Sequence, residues 1–291
     1  MCNIKKICLM KNVFTRLFTG VLYIAVIIGA VMAGGWWLWG LAVLFGVLGI
    51  NEFNRIANKG HISNTTRLID IVGAFFLISG IACFLNLNLP EWMFGAWSLK
   101  TFLFAYLLYL LARLVSQLYI QDGNALSHYA HSLMGQLYIA LPMGLLCALY
   151  AMTNAWFVLG MFILIWLSDT GAFCVGSLIG RHKLFERISP KKSWEGFFGG
   201  FLFCLAASAC FQFFGKGLGV GMNMPQMLGL GAVVCVFGTW GDLVESLLKR
   251  TLGVKDSGNL LPGHGGILDR IDSLLLVIPA VMAYFMAVTS F

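Results

Sequence analysis

The chain is predicted to be an all-α, polytopic integral membrane protein with about nine transmembrane helices and a cytoplasmic N-terminus. Three observations predict this. Hydrophobic residues fill 59% of the 291 positions and charged residues only 11%, where an ordinary soluble domain carries about 25% charged residues. The mean hydropathy is +0.86. Apolar runs recur along the whole chain, each near the length of about 20 residues that a bilayer requires. Together they leave no room for a sizeable soluble domain. The net charge of +7 is read as a topology signal, with no nucleic-acid partner, because its distribution matters more than its sum.

In chain order, residues 1–16 carry Lys5, Lys6, Lys11 and Arg16, and an apolar run follows from Leu17 to about Ala33. The run is long for a signal-peptide core and lacks an A-x-A site, so it is expected to be an uncleaved first span. The remaining spans are expected near 36–51, 68–86, 101–120, 133–150, 155–176, 196–215, 227–248 and 272–290. Gly34 and Gly35 join the first two in a tight hairpin. Trp36-Trp37 and the stretch Pro90–Phe94 have the aromatic character of membrane interfaces. With the N-terminus inside, one side holds the four N-terminal cations, then Arg55, Lys59 and Arg67, then Arg181, Lys183, Arg187, Lys191 and Lys192, and finally Lys249, Arg250, Lys255 and Arg270. The other side holds only Lys100 and Lys216, and Arg113 falls within the fourth span. That asymmetry follows the positive-inside rule and places the C-terminus outside. The eight cysteines form no C-x-x-C pair and mostly lie in apolar runs, so they are read as small buried hydrophobes without disulfides or metal.

Carboxylates in a span cost about 3 kcal/mol each on insertion scales, so those present need a reason. Asp70, at a span start, is read as structural, with Arg113 or a backbone group as a partner. Asp242 and Glu245 stand three residues apart late in the eighth span and share a helix face. Asp269 and Asp272 repeat that spacing at the start of the ninth. Two such pairs at facing helix ends could form an all-oxygen cage of the kind that suits Mg²⁺ with substrate phosphates. They could equally be salt-bridge partners of Lys249, Arg250 and Arg270. Lys249, Arg250 and Lys255 lie between the pairs, and Pro262-Gly263-His264-Gly265-Gly266 offers a tight backbone to phosphate. His264 is read as a phosphate contact or a turn support. No P-loop motif is present.

A second polar stretch runs from Ser168-Asp169-Thr170-Gly171-Ala172 to Ser189-Pro190-Lys191-Lys192-Ser193-Trp194-Glu195-Gly196. Asp169 is expected to be buried in mid-span, followed by small residues that permit close helix approach. The paired lysines could be a positive-inside anchor or a phosphate site.

From Ser246 to Asp272 the chain fits S-x-[apolar]-K-R-x₄-K-D-x-[small]-x₂-[apolar]-P-x-H-G-G-[apolar]-x-D-R-[apolar]-D at every specified place. This resembles the signature of the phosphatidate cytidylyltransferases, also called CDP-diacylglycerol synthases. The stretch from Ser168 to Gly196 resembles a second motif of that family, whereas the first 130 or so residues resemble it only in hydropathy. The resemblance implies transfer of a cytidylyl group from CTP to phosphatidic acid, giving CDP-diacylglycerol and pyrophosphate, with Mg²⁺ and in some members K⁺. It implies Asp242, Asp269 and Asp272 as metal ligands, and Glu245 beside them. It also implies Lys191, Lys192, Ser193, Lys249, Arg250 and Lys255 as phosphate contacts, with His264 and Arg270 counted on the substrate side and Asp169 in the cavity wall. Residues 1–132 are then N-terminal helices and loops, and 133–291 the catalytic region of one integrated membrane domain. The expected setting is the inner (plasma) membrane of a bacterium, with the site facing the cytoplasm. A homodimer is expected on the resemblance alone. Two rivals stay open: a CTP-dependent lipid kinase, which would release CDP, and a cation transporter using the intramembrane acids.

Overall fold

The computed structural model describes residues 2–58, 63–85, 99–120, 124–258 and 265–289, without the side chains of 2–17, 216 and 217. The expected interface stretch Pro90–Phe94, and Pro262, Gly263 and His264, lie outside these residues.

The described chain is helical apart from one small hairpin. Its helices are α1 (Cys2–Ala33), α2 (Gly35–Ala57), α3 (Asn64–Phe84), α4 (Leu99–Ser116), α5 (Ala125–Gly135), α6 (Leu141–Met152), α7 (Ala155–Ile179), α8 (Trp194–Phe214), α9 (Met224–Leu252) and α10 (Leu268–Thr289). A π-helical turn, Gln136–Ala140, fuses α5 and α6 into one rod. Pro142 follows it; proline lacks an N–H and crowds the carbonyl four residues back, and a wider turn relieves that conflict. This rod runs through the expected boundary at 132/133.

Eight helices among the described residues are long and apolar enough to cross a membrane. The ninth apolar segment, Phe18–Ala33, is shorter. Sixteen residues rise about 24 Å, against a hydrocarbon core of about 30 Å. Aliphatic and aromatic side chains such as Leu107, Leu178, Leu202 and Phe213 remain exposed on the bundle's outside, where lipid rather than water is the matching solvent.

Two groups of helices meet along the core. In the first, α3 packs on α2, α4 and α6; in the second, α7 to α10 pack on one another. Helix α10 contacts α6 and α2, and α1 touches both α2 and α7, so the groups share one hydrophobic core. Local chemistry sets the helix ends. Asn223 and Gln226 form a reciprocal capping box at the start of α9, satisfying two orphan amides. At the other end of α9, Gly253 adopts the left-handed conformation at φ 75° and its amide turns back to Arg250 and Lys249, the glycine stop expected of a helix C-terminus.

The hairpin pairs β1 (Lys183–Phe185) with β2 (Ser189–Ser193) antiparallel, Lys183 opposite Ser193 and Phe185 opposite Ser189. It was not foreseen from the sequence, where it reads as a connecting loop: three alternating residues are too short a signal to separate from a turn.

Candidate active site

Five carboxylates of the C-terminal half, Asp169, Asp242, Glu245, Asp269 and Asp272, gather where α7, α9 and α10 meet. Near its C-terminal end α9 carries Asp242, Glu245 and Lys249 over two turns, on one face because steps of three and four residues each close about one turn. Gly241 lets α10 approach: a Cβ there would lie 2.7 Å from the Asp272 carbonyl. Asp242, Glu245 and Asp272 therefore come together, each with a carboxylate oxygen within 4.8 Å of the others.

Two lysines enter this cluster. Lys192, from β2, pairs with Asp242 at 2.6 Å and also donates to the Thr239 carbonyl at 3.3 Å. Lys249 sits between Glu245 at 2.5 Å and Asp269 at 2.7 Å. Counting Asp169, five carboxylates face these two ammonium groups among the described residues, with Lys191 and Arg270 on the walls of the adjoining cavities. Glu245 is buried, and its Oε1 has no hydrogen-bond partner among the described residues. Buried negative charge in excess of its partners is costly, and a divalent cation with oxygen preference would offset it. The donor set thus fits Mg²⁺.

Asp269 departs from its expected place. Its Oδ1 accepts from Lys249, and its Oδ2 accepts from the amides of Ser257 at 3.0 Å and Gly266 at 2.9 Å, with the Ser257 hydroxyl also at 3.0 Å. A carboxylate saturated by protein donors is an anchor for Lys249 and the preceding loop. Glu245 takes the third position beside Asp242 and Asp272 that the expected ligand set gave to Asp269. Gly265 makes room for the anchor: its φ is 80°, and a Cβ there would fall 2.6 Å from Asp269 Oδ2.

Asp169 differs from the expected burial in mid-span. It is exposed, not sealed inside the bundle, because its position in mid-α7 opens into cavities. One cavity, of about 410 Å³, runs from Asp169 and Asp242 past Lys191, Lys192 and Ser193 to the apolar walls Phe173, Leu184 and Phe197. A second, of about 330 Å³, holds Asp169, Asp242, Asp269 and Asp272 against Thr19, Tyr23 and Ile24 of α1. The two share Asp169 and Asp242. A third cavity, of about 300 Å³ between α3 and α4, is almost wholly apolar and lies away from every charged group named here.

Ser193 is committed to structure. Its hydroxyl accepts from the Gly196 amide at 3.1 Å and caps α8, while its side chain is buried at the cavity edge. Glu195 closes the hairpin by accepting from the Arg181 and His182 amides at 3.1 and 3.2 Å and meeting His182 Nδ1 at 2.6 Å. Close packing supports this corner; a Cβ on Gly196 would lie 2.9 Å from the Ala172 carbonyl. Arg250 and Lys255 are exposed and line neither of the two charged cavities. Arg270 borders the second cavity, and its carbonyl accepts from Tyr23 Oη at 2.9 Å.

Sequence reasoning missed Glu52. This residue of α2 is 6% exposed and reaches the loop before α10. The signal was a lone acid just past the second apolar run, one position beyond where that span was drawn to end.

The fold and the site define a class: a helical, bilayer-type protein with two adjoining cavities that meet at a cluster of carboxylates and lysines. The chain belongs to the cytidylyltransferase family, whose model matches residues 14–288. Three relatives are named phosphatidate cytidylyltransferase. The Staphylococcus haemolyticus protein is 32% identical over 264 residues, 91% of this chain and 95% of the relative. The Staphylococcus epidermidis protein is 50% identical over 123 residues, 42% of this chain and 46% of its own length. The Staphylococcus aureus protein is 47% identical over a stretch of the same length. These shorter matches span less than half the length of the relatives concerned.

Proposed function

We propose that this protein transfers a cytidylyl group from CTP to phosphatidic acid, releasing pyrophosphate and forming CDP-diacylglycerol in a bilayer. The observation that carries the reading is the three-carboxylate group Asp242, Glu245 and Asp272 with Lys192 at its side, in a chain whose family model covers nearly its whole length. Mg²⁺, held by those three carboxylates, would neutralise charge on the triphosphate and on the departing pyrophosphate.

The chain's own residues do the rest. A phosphatidate oxygen is already an anionic nucleophile, so no serine, cysteine or histidine nucleophile is required. It forms a bond to the α-phosphorus of CTP as the bond from that phosphorus to the bridging oxygen of the β-phosphate breaks. What opposes the step is repulsion between anions. Lys191 and Lys192, at the rim of the larger cavity, lower that repulsion and hold the phosphates in line. Lys249 is fixed between Glu245 and Asp269 and keeps those carboxylates from repelling each other. The shared wall of Asp169 and Asp242 is where reactants from the two cavities would meet.

The same reading includes nine crossings with a cytoplasmic N-terminus, supported by sixteen of the nineteen basic residues falling on one side and by the positive-inside rule. It puts the site at the cytoplasmic face of a bacterial inner membrane, where CTP is available. K⁺ and a homodimer rest on the family resemblance.

The test is incubation of the purified full chain with labelled CTP, phosphatidic acid and Mg²⁺. Lipid-soluble label with one pyrophosphate per label is expected. Release of CDP with a phosphorylated lipid alcohol would replace this reading by that of a kinase. Cation flux through liposomes without any CTP turnover would replace it by that of a transporter.

A further inference from the structure

Glu52 lies outside the site just described, yet it holds the backbone on which that site is built. Its Oε2 accepts from the Ser257 hydroxyl at 3.0 Å and from the Leu268 amide at 3.1 Å, 205 and 216 residues away. Leu268 is the first residue of α10, so its amide is one of the donors that a helix start leaves without an internal partner. A carboxylate there satisfies the amide and meets the positive end of the helix. The cap is supplied by another helix, α2, not by the chain just before α10.

The surroundings are built for that contact. A Cβ on Gly258 would lie 2.6 Å from Glu52 Oε1, and one on Gly266 would collide with Oε2 and the Ser257 hydroxyl. Only glycine backbone fits against the carboxylate at both places. Glu52 Oε1 has no hydrogen-bond partner, and no ammonium or guanidinium group pairs with Glu52 among the described residues. A buried carboxylate without a cation is expensive, and a saturated structural ion pair does not account for it.

The Ser257 hydroxyl lies 3.0 Å from Glu52 Oε2 and also 3.0 Å from Asp269 Oδ2. It has one proton and can donate to one of them at a time. Its backbone amide donates to Asp269 in addition. Glu52, Ser257 and Asp269 thus form a chain that ends on Lys249, which in turn meets Glu245.

We propose that Glu52 is a positioning residue for cytidylyl transfer. It caps α10 from α2 and clamps Ser257, which fixes the first turn of α10. Asp269 is thereby kept on Lys249, and Asp272 in the group with Asp242 and Glu245. Glu52 lines neither of the two charged cavities. The inference rests on the proposed transfer reaction for its kinetic test, and on backbone order for a test that does not need the reaction.

The experiment compares the wild-type chain with Glu52→Ala, Glu52→Gln and Ser257→Ala, each full length and in detergent. For Glu52→Ala, kcat per folded molecule is expected to fall at least about tenfold with KM for CTP within about threefold, since small misplacements of reacting groups cost this much or more. Glu52→Gln should keep at least about a third of kcat, because an amide oxygen can accept the same two hydrogen bonds. Unchanged kcat in Glu52→Ala overturns the proposal. A Glu52→Gln protein as slow as Glu52→Ala also overturns it, since charge and not position would then matter. If Glu52→Ala does not accumulate, Ser257→Ala carries the test: about a threefold to tenfold loss of kcat is expected, and wild-type kcat overturns the clamp. Amide hydrogen exchange across residues 265–272 is measured in parallel, and should quicken at least about tenfold in Glu52→Ala or Ser257→Ala. Unchanged exchange overturns the positioning role even if the wild-type chain makes no CDP-diacylglycerol. Quickened exchange in the variants, beside a wild type that makes no CDP-diacylglycerol, would instead fail the reaction and keep the clamp.

Discussion

Two regions of this bundle bury carboxylates, and they treat them differently. In the N-terminal group, Asp70 accepts from Asn54 at 2.9 Å, Ser132 at 2.8 Å and Tyr109 at 3.3 Å, with the Arg113 guanidinium 3.5 Å away. Arg113 is itself held by Ser132, Gln117 and the His128 carbonyl. Asp70 lines none of the three cavities described above, and the two charges match. In the C-terminal group, carboxylates outnumber lysines, Glu245 keeps an unpartnered oxygen, and two cavities open on the cluster. A closed network in which the acid itself is fully partnered and charge-matched holds helices together. An open, under-neutralised one is poised to take a ligand. The contrast separates structural from functional acids better than burial does, because both Asp70 and Glu245 are almost wholly buried.

The largest expected break in that contrast is Asp272→Asn. It removes one negative charge from the three-carboxylate group and should lower transfer by about 100-fold or more, as loss of a single preorganised electrostatic group does elsewhere. The folded fraction should stay the same, and a steady-state assay on monodisperse protein checks both.

Much of this arrangement was legible beforehand, in physical terms that also mark its edge. The apolar runs fell close to the observed helices because a bilayer imposes length and composition together. The acid pairs Asp242/Glu245 and Asp269/Asp272 were legible because an i, i+3 spacing puts two side chains on one face. Which pair members meet was not legible. Spacing along one helix says nothing about how far a second helix is rotated, and that rotation put Glu245 in the group and turned Asp269 toward Lys249 and Ser257. Asp169 could be placed in a span from its apolar surroundings, and in a cavity wall only through the family resemblance, since cavities belong to packing. Glu52 was missed because its partners lie more than 200 residues away. The hairpin was missed because its strands are too short to show a period.

A smaller effect is expected at the rim. Lys192→Met keeps the aliphatic stem but removes the ammonium that meets Asp242. It should lower transfer about tenfold to 100-fold and raise KM for CTP, seen by titrating CTP at fixed phosphatidic acid. An unchanged KM would make Lys192 a structural partner of Asp242 and bring the two regions closer in kind.

Smallest in activity is Asp70→Asn. Removing one partner of a buried pair costs about 3–5 kcal/mol of stability, read as a lower thermal midpoint in detergent. Activity per folded molecule should remain within about threefold of wild type. A large kinetic loss at full stability would show that the closed network also serves the reaction.

The most direct measurement is Mn²⁺ binding, followed by electron paramagnetic resonance, to the purified wild-type chain, to Asp70→Asn, and to the double variant Asp242→Asn with Asp272→Asn. The account predicts saturable Mn²⁺ binding to the wild type and to Asp70→Asn, with loss of that binding in the double variant. Undiminished binding in the double variant, with the protein folded, would contradict the claim that the open cluster of acids is the cation site.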